Sequence, residues 1–480
     1  MRAGSSRSGA RGWVTLFAAL LALGLVTDHL LGPSRPQAAT PVSPLAPSLA
    51  SSGDLASTWF CPALGANGTG PTRGRVIVAN LAGTDLHVSA LFAPSVGSPP
   101  PPVARVVAPY TRTTFRLEDE APAPFTATTV TADGLDAAVD QEVQGPLGES
   151  ITPCTRASSD RWYFAAGRTD AGSTLQLSLF NPYPGPAVAD LRFATDQGPT
   201  SPDALQGIVV PGRGVQVVDV GASVRGRRAL ATTVTVRIGR LIVDKLQLQG
   251  GDHPSGLSLT LGATAPGTTW YFADGLTSRG RTEHFEVYNP GAREAQVQLA
   301  PTLDHGTATP FELTVAPAAR VSLGLGDDGR APADDGQSWV AASVDDVPVV
   351  VERVMEVGGS RSLPRGVADT LGAPAPSRRW VFPAGSATGD ADEYLIVSNP
   401  GRGRAHVDVM VSGEGHRRPL PGVSPLVIPA RSRRVLRIGE LVSEGVVVLD
   451  VSSDVAVVAE RAQLHHATPG LSSAIGIAGG

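Results

Sequence analysis

Two acid–base pairs stand 108 residues apart, Glu352-Arg353 and Glu460-Arg461, each closing an apolar run: V-P-V-V-V-E-R in one case, V-A-V-V-A-E-R in the other. Neighbouring residues of a strand point to opposite faces, so the two charges of a pair cannot bond each other. An acid turned inward needs a donor, because an unpaired buried charge is costly. The expectation is that it accepts from its own repeat's Trp indole or from a turn amide, with the arginine on the outer face. Glu352→Gln would then destabilise the third domain alone. The competing arrangement leaves both charges on an exposed rim.

Other residues with chemical potential are scattered. The nine histidines lie singly except His465-His466, and there is no H-x-x-x-H pair, cysteine cluster, G-x-S-x-G elbow or phosphate-binding glycine loop. Asp304-His305 and Asp252-His253 lack an identifiable nucleophile. Asp327, Asp328, Asp334 and Asp335 offer oxygen ligands for calcium, but without the alternating spacing of a calcium loop they read as a solvated turn. The expectation is a non-enzymatic chain with no catalytic residue, metal or cofactor.

The two cysteines, Cys61 and Cys154, predict one disulfide in an exported chain. Cys61 takes the place held in later repeats by Phe164 and Phe272, and Cys154 falls near the place of Leu261 and Leu371. The bridge would staple the first and last strands of one domain and contribute about 4 to 5 kcal/mol in a chain-entropy treatment.

These residues sit in a chain of 480 residues, long enough for about three to four domains. Hydrophobic content of 42% argues against global disorder, and 55 Gly with 41 Pro argue for many turns and few helices. Lys245 is the one lysine among 39 basic residues, and the net charge of −5 advertises no nucleic-acid surface. Residues 1–12 carry Arg2, Arg7 and Arg11 and no acid, and an apolar stretch follows over 13–31. Nineteen residues give about 28 Å of helix, enough to span a bilayer as an uncleaved signal anchor. The arginines place the N-terminus inside and the rest of the chain outside; secretion after signal cleavage is the alternative. Residues 32–57, rich in Pro, Ala and Ser, read as a disordered stalk.

Beyond the stalk the chain repeats. Trp59, Trp162, Trp270 and Trp380 open W-F-C-P, W-Y-F-A-A-G, W-Y-F-A-D-G and W-V-F-P-A-G, at steps of 103, 108 and 110 residues. The tryptophans are expected to fill the core, with carbohydrate stacking as the alternative. Asn181, Asn289 and Asn399 each precede a proline 19 residues after their tryptophan, where they end a strand in a side-chain-supported turn. Between these markers apolar residues alternate at period two, giving about seven or eight strands per repeat. That predicts an all-β chain of four tandem immunoglobulin-like β-sandwiches, at 58–158, 159–266, 267–376 and 377–480. A propeller would need a double blade per repeat, and no half-period similarity is visible.

The combination of motifs resembles an uncharacterised family of bacterial secreted or membrane-anchored surface proteins with W-Y-F-A-E-G, Asn-Pro and P-V-V-x-E-R repeats. The resemblance covers roughly residues 58 to 480 and implies an extracellular, β-rich protein. The acid of W-Y-F-A-E-G survives here only as Asp274, with Ala166 and Ala384 in its place elsewhere. The expected function is an envelope scaffold or adhesion protein holding its sandwiches in a rod outside the membrane. Its expected partners are the membrane through the N-terminal helix and a cell-wall polymer or envelope protein. A glycan-binding array is the alternative, and an envelope hydrolase or transferase is a more distant one.

Overall fold

The computed structural model describes residues 46–479, apart from 52–53, 68–71, 279, 326–331, 359–364, 387–390, 424, 444, 446 and 467–469. Residues 1–12, the anchor expected at 13–31 and the stalk up to residue 45 lie outside the described residues. Among the described residues no helix is long and apolar enough to cross a membrane.

The protein is all-β, and two burial patterns explain how its strands are used. Ala405–Gly413 alternates buried and exposed positions along most of its length, as a strand with one wet face must. Ile242–Gln249 and Gly256–Leu261 are buried at almost every position. Such strands have a neighbour on both faces. In residues 57–153 one sheet runs Ser57–Gly65, Phe125–Ala132, Leu86–Pro94, Val103–Val107, and the other Arg112–Arg116, Arg73–Asn80, Ala137–Gly145, Gly148–Pro153. The same strand order recurs in 269–371, and in 161–261 with one added strand, Gly198–Thr200, on the first sheet. In the last domain an 18-residue strand, Val448–His465, runs from one sheet into the other and joins them.

The domains do not stand in line. The last strand of each one's second sheet, Gly148–Pro153, Gly256–Leu261, Arg365–Leu371 and Leu471–Ile475, packs against the corresponding strand of the next domain, and the fourth packs against the first. The body is therefore a closed ring, which overturns the expected rod. The approach is close: a Cβ on Gly366 would lie 2.4 Å from the Leu471 amide nitrogen. Only glycine fits there.

The stretch read as stalk is also shorter than expected. Leu49 is buried, its N–H donates to the Ala478 carbonyl at 2.8 Å, and the Ala478 N–H donates to Pro47 at 3.1 Å. Arg156 holds the Leu49 carbonyl at 3.0 Å and Asp54 at 2.8 Å. Residues 46–49 thus dock on the C-terminal strand Ile477–Gly479, where Ser48 bridges Ala478 in parallel.

Candidate functional site

The recurring polar residues meet at the joints between domains. In each domain the strand that neighbours the innermost one carries an acid or its counterpart followed by a base or its counterpart: Asp140-Gln141, Asp244-Lys245, Glu352-Arg353 and Glu460-Arg461. Because successive side chains leave opposite faces, the first residue of each pair faces the preceding domain and the second faces the following one. Lys245 Nζ reaches Glu352 Oε2 at 2.6 Å and also bonds Asp369. Arg353 pairs with Glu460, and Arg461 Nη1 lies 3.6 Å from Asp140 Oδ2, which closes the circuit. At the remaining joint Gln141 Nε2 donates to Asp244 Oδ2 at 3.1 Å.

Backbone from the tryptophan motif completes three joints. The amide of its fifth residue donates to the next domain's acid: Ala166 to Glu352 at 2.9 Å, Asp274 to Glu460 at 3.0 Å, and Ala384 to Asp140 at 3.2 Å. The carbonyl of that residue accepts from its own domain's base, Lys245 on Ala166 at 2.7 Å and Arg353 on Asp274. Main chain does this work, so the side chain at the fifth position is free to be Ala or Asp. The third motif residue supports the cation, with Lys245, Arg353 and Arg461 lying 5.5, 5.7 and 5.9 Å from the ring centroids of Phe164, Phe272 and Phe382.

Two expectations about Glu352, Arg353, Glu460 and Arg461 are corrected here, and a third, a turn amide as the acid's donor, is met from a neighbouring domain. Both arginines are buried, at 0% and 2% exposure, so neither occupies an outer face and no exposed rim exists. The acids accept turn amides of the preceding domain, not their own indole. The effect of Glu352→Gln accordingly falls on the second and third domains together. Burial pushes Glu352 up to about 7, with Asp369 adding to the rise and Lys245 opposing it. Burial likewise lifts Asp140 to about 6 against the pull of Arg461. Lys245 is drawn down by burial, yet Asp369 and Glu352 outweigh that and leave it raised.

The four motif tryptophans, Trp59, Trp162, Trp270 and Trp380, are at most 1% exposed. Three of their indoles donate to backbone carbonyls across the sheet pair, Trp162 to Leu241 at 3.0 Å, Trp270 to Val349 and Trp380 to Val457 at 2.8 Å. Trp59 Nε1 is without such a partner among the described residues.

Asn181, Asn289 and Asn399 do more than end a strand. Asn289 Nδ2 donates to Arg293 at 2.6 Å and to Val315 at 3.0 Å, and its Oδ1 accepts from Gly291 at 2.9 Å. It therefore ties its own turn to the turn 26 residues on. Asn181 and Asn399 repeat the pattern, and Asn80 of the divergent first copy joins them. Asn289→Ala is expected to cost about 2 to 3 kcal/mol, because two carbonyls and an amide lose a buried partner. Asn289→Asp should do no better, since a carboxylate cannot donate to the carbonyls. Thermal melts of the two variants check this.

Cys61 and Cys154 form the disulfide. One detail differs from expectation. The strand bridges Phe60–Thr155, Tyr163–Ala263 and Tyr271–Ala373 place Cys154 level with Gly262 and Gly372, one position beyond Leu261 and Leu371. Cβ atoms on those glycines would fall 2.7 Å from Cζ of Phe164 and Phe272. The disulfide thus stands where the other domains pack a phenylalanine on a glycine.

Sequence reasoning missed the innermost strands. They share a spacing of Gly, Ser and Thr: Gly148, Ser150 and Thr152; Gly256, Ser258 and Thr260; Gly366 and Thr370; Gly470 and Ser472. Ser150 Oγ accepts from Leu259 N at 3.0 Å, Ser258 Oγ from Asp369 N at 2.8 Å, and Ser472 Oγ from Ile151 N at 2.9 Å. In the third domain Ala368 replaces the serine. The G-x-S-x-T period was the available signal.

The remaining candidates serve structure, and the first of them does so across the joint between the third and fourth domains. Asp304 holds Arg433 through Nε at 2.9 Å and Nη2 at 3.1 Å, and Arg433 Nη1 also reaches Asp274 Oδ1 at 3.2 Å. Burial would raise Asp274, but Arg353, Arg281 and Arg433 hold it below its ordinary value. His305 Nδ1 meets Asp335 Oδ1 at 3.0 Å and His253 Nε2 meets Asp170 Oδ2 at 3.0 Å. Asp327 and Asp328 lie outside the described residues. Among those described, no group of three His, Cys, Asp or Glu side chains is placed to hold a metal.

Fold and joints together define a ring of repeated all-β domains locked by buried side chains of adjacent copies. The chain belongs to a family of unknown function, DUF5719, whose profile matches residues 113–322 and 249–471. No curated protein matches. A solved Thermotoga maritima protein, number 1070, is similar over 22% of this chain and 93% of its own at 23% identity and a TM-score of 0.20. A tetra-tandem repeat from the extending region of a large adhesion protein covers 88% of this chain and 98% of its own at 14% identity and a TM-score of 0.11. Likenesses at these scores bear on neither fold nor function.

Proposed function

We propose that this protein is a non-enzymatic scaffold or adhesion protein of the cell envelope, formed by four immunoglobulin-like sandwich copies and held outside the membrane by the apolar segment 13–31. The observation that carries this reading is the use made of the recurring polar side chains. Asn, Glu, Arg, Ser and Thr of the repeats are buried and committed to holding turns and domains together, which is what a rigid presenting body requires. The disulfide fits an oxidising compartment, and the arginines before the apolar segment fit an outward-facing body. The body is a ring, so it lacks the reach of four domains set in line. Crosslinking of the intact protein in its own envelope, followed by identification of what is attached, tests the proposal. A specific envelope protein or wall polymer is the expected result, and recovery of no specific partner counts against it.

A further inference from the structure

Three joints of the ring set a cation against a buried carboxyl, and the joint between the first and second domains does not. Asp244 and Gln141 are both 0% exposed. The aromatic that would support a cation is replaced by Cys61, and the base by Gln141. No motif amide serves Asp244 in the way that Ala166, Asp274 and Ala384 serve its counterparts. One oxygen of each side chain, Asp244 Oδ1 and Gln141 Oε1, is left without a partner when the carboxyl carries no hydrogen. A single proton satisfies both, because a carboxylic acid donates and an amide oxygen accepts. The ionised form would be a buried charge facing a neutral amide, which is the costlier state.

We infer that this joint is held by a proton: Asp244 stays un-ionised at neutral pH and bonds Gln141 as a neutral acid, so the joint tightens in acid and loosens as pH rises. The groups packed against it are uncharged. Strand Ala137–Gly145 presents Gln141, strand Ser173–Asn181 presents Ser178, and Leu261 lies opposite on Gly256–Leu261. Ser178 Oγ donates to the Ala63 carbonyl at 3.0 Å, from the first domain's strand Ser57–Gly65. Charged neighbours in sequence are engaged elsewhere: Lys245 with Glu352 and Asp369, Asp140 with Arg461, and Glu142 with Arg75. Burial accordingly pushes Asp244 up to about 8, only partly offset by Ser178 and Gln141. Its folded value exceeds the ordinary one of 3.8, so the stabilisation is complete below about pH 4 and is lost as pH rises to about 8.

The test is amide hydrogen exchange on the full-length protein, corrected for intrinsic rates, from pH 5 to 10. For strands Ala137–Gly145 and Ile242–Gln249 Asp244 should raise the opening constant about fivefold from pH 7 to 8, after which it levels off; below pH 7 Asp140 and Glu352, raised to about 6 and 7, add to the rise. Asp244→Asn, which keeps a neutral hydrogen-bonding group, should abolish the rise between pH 7 and 8. The infrared band of protonated carboxylic acid at pH 7 should lose the Asp244 component in the variant, leaving that of Glu352. An identical pH profile in Asp244→Asn would overturn the inference. So would a parent in which all four joints lose protection together between pH 7 and 8, an outcome readable even if the variant fails to fold.

Discussion

Arg353→Met should lower the unfolding free energy by about 3 to 5 kcal/mol, the largest single-residue effect expected in the ring. The methionine roughly fills the volume, but Glu460 is left with its charge at 0% exposure and only backbone amides and Ser473 to hold it. Removing one partner of a buried pair leaves the other uncompensated, which costs far more than the pair contributes net. Replacing both, Arg353→Met with Glu460→Leu, should therefore recover much of the loss. Chemical denaturation of the parent, both single variants and the double variant gives the coupling directly. Equal destabilisation by Arg353→Met and the double variant would show that the charge pair is not what holds this joint. Hydrogen exchange should place the damage in the third and fourth domains, since the guanidinium reaches from one into the other.

The second large effect concerns the disulfide. Cys154→Ser should cost about 2 to 5 kcal/mol, the usual penalty for losing a bridge that closes a long loop. Pairing Cys61→Phe with Cys154→Gly should restore most of it, because that combination installs the packing that Phe164–Gly262, Phe272–Gly372 and Phe382–Gly476 already use. Cys61→Phe alone should be worse than either, since the Cβ at position 154 would press on the new ring as a Cβ on Gly262 would press on Phe164 at 2.7 Å. Thermal melts in non-reducing buffer rank the four proteins. A paired variant no better than Cys154→Ser would mean that the first domain needs the covalent link itself and not the contact it replaces.

The repeat, its strands and its bridge were legible because each rests on local order. Period-two alternation marks a half-buried strand, an asparagine before proline marks a turn, and two cysteines in an exported chain leave one pairing. Even so, the sequence places Cys154 only near Leu261 and Leu371, because its true counterpart is a glycine, whose role shows only once a ring lies on it. Asn80 is legible as the divergent counterpart, 21 residues after Trp59 and followed by leucine, but only the fold shows that it makes the same bonds as its sisters.

The amino-acid order alone determined that three domains carry an acid beside a base, and the first Asp140 beside Gln141, on a strand flanked by apolar residues, and that neighbours on the strand cannot serve each other. It could not say what each faces, because a strand buried on both sides shows no alternation from which to read direction. Lys245 and Glu352 are 107 positions apart, and Arg461 and Asp140 are 321 apart. Only closure of the ring brings the last base to the first acid, and only there does Gln141 become visible as the place where a proton stands in for a cation.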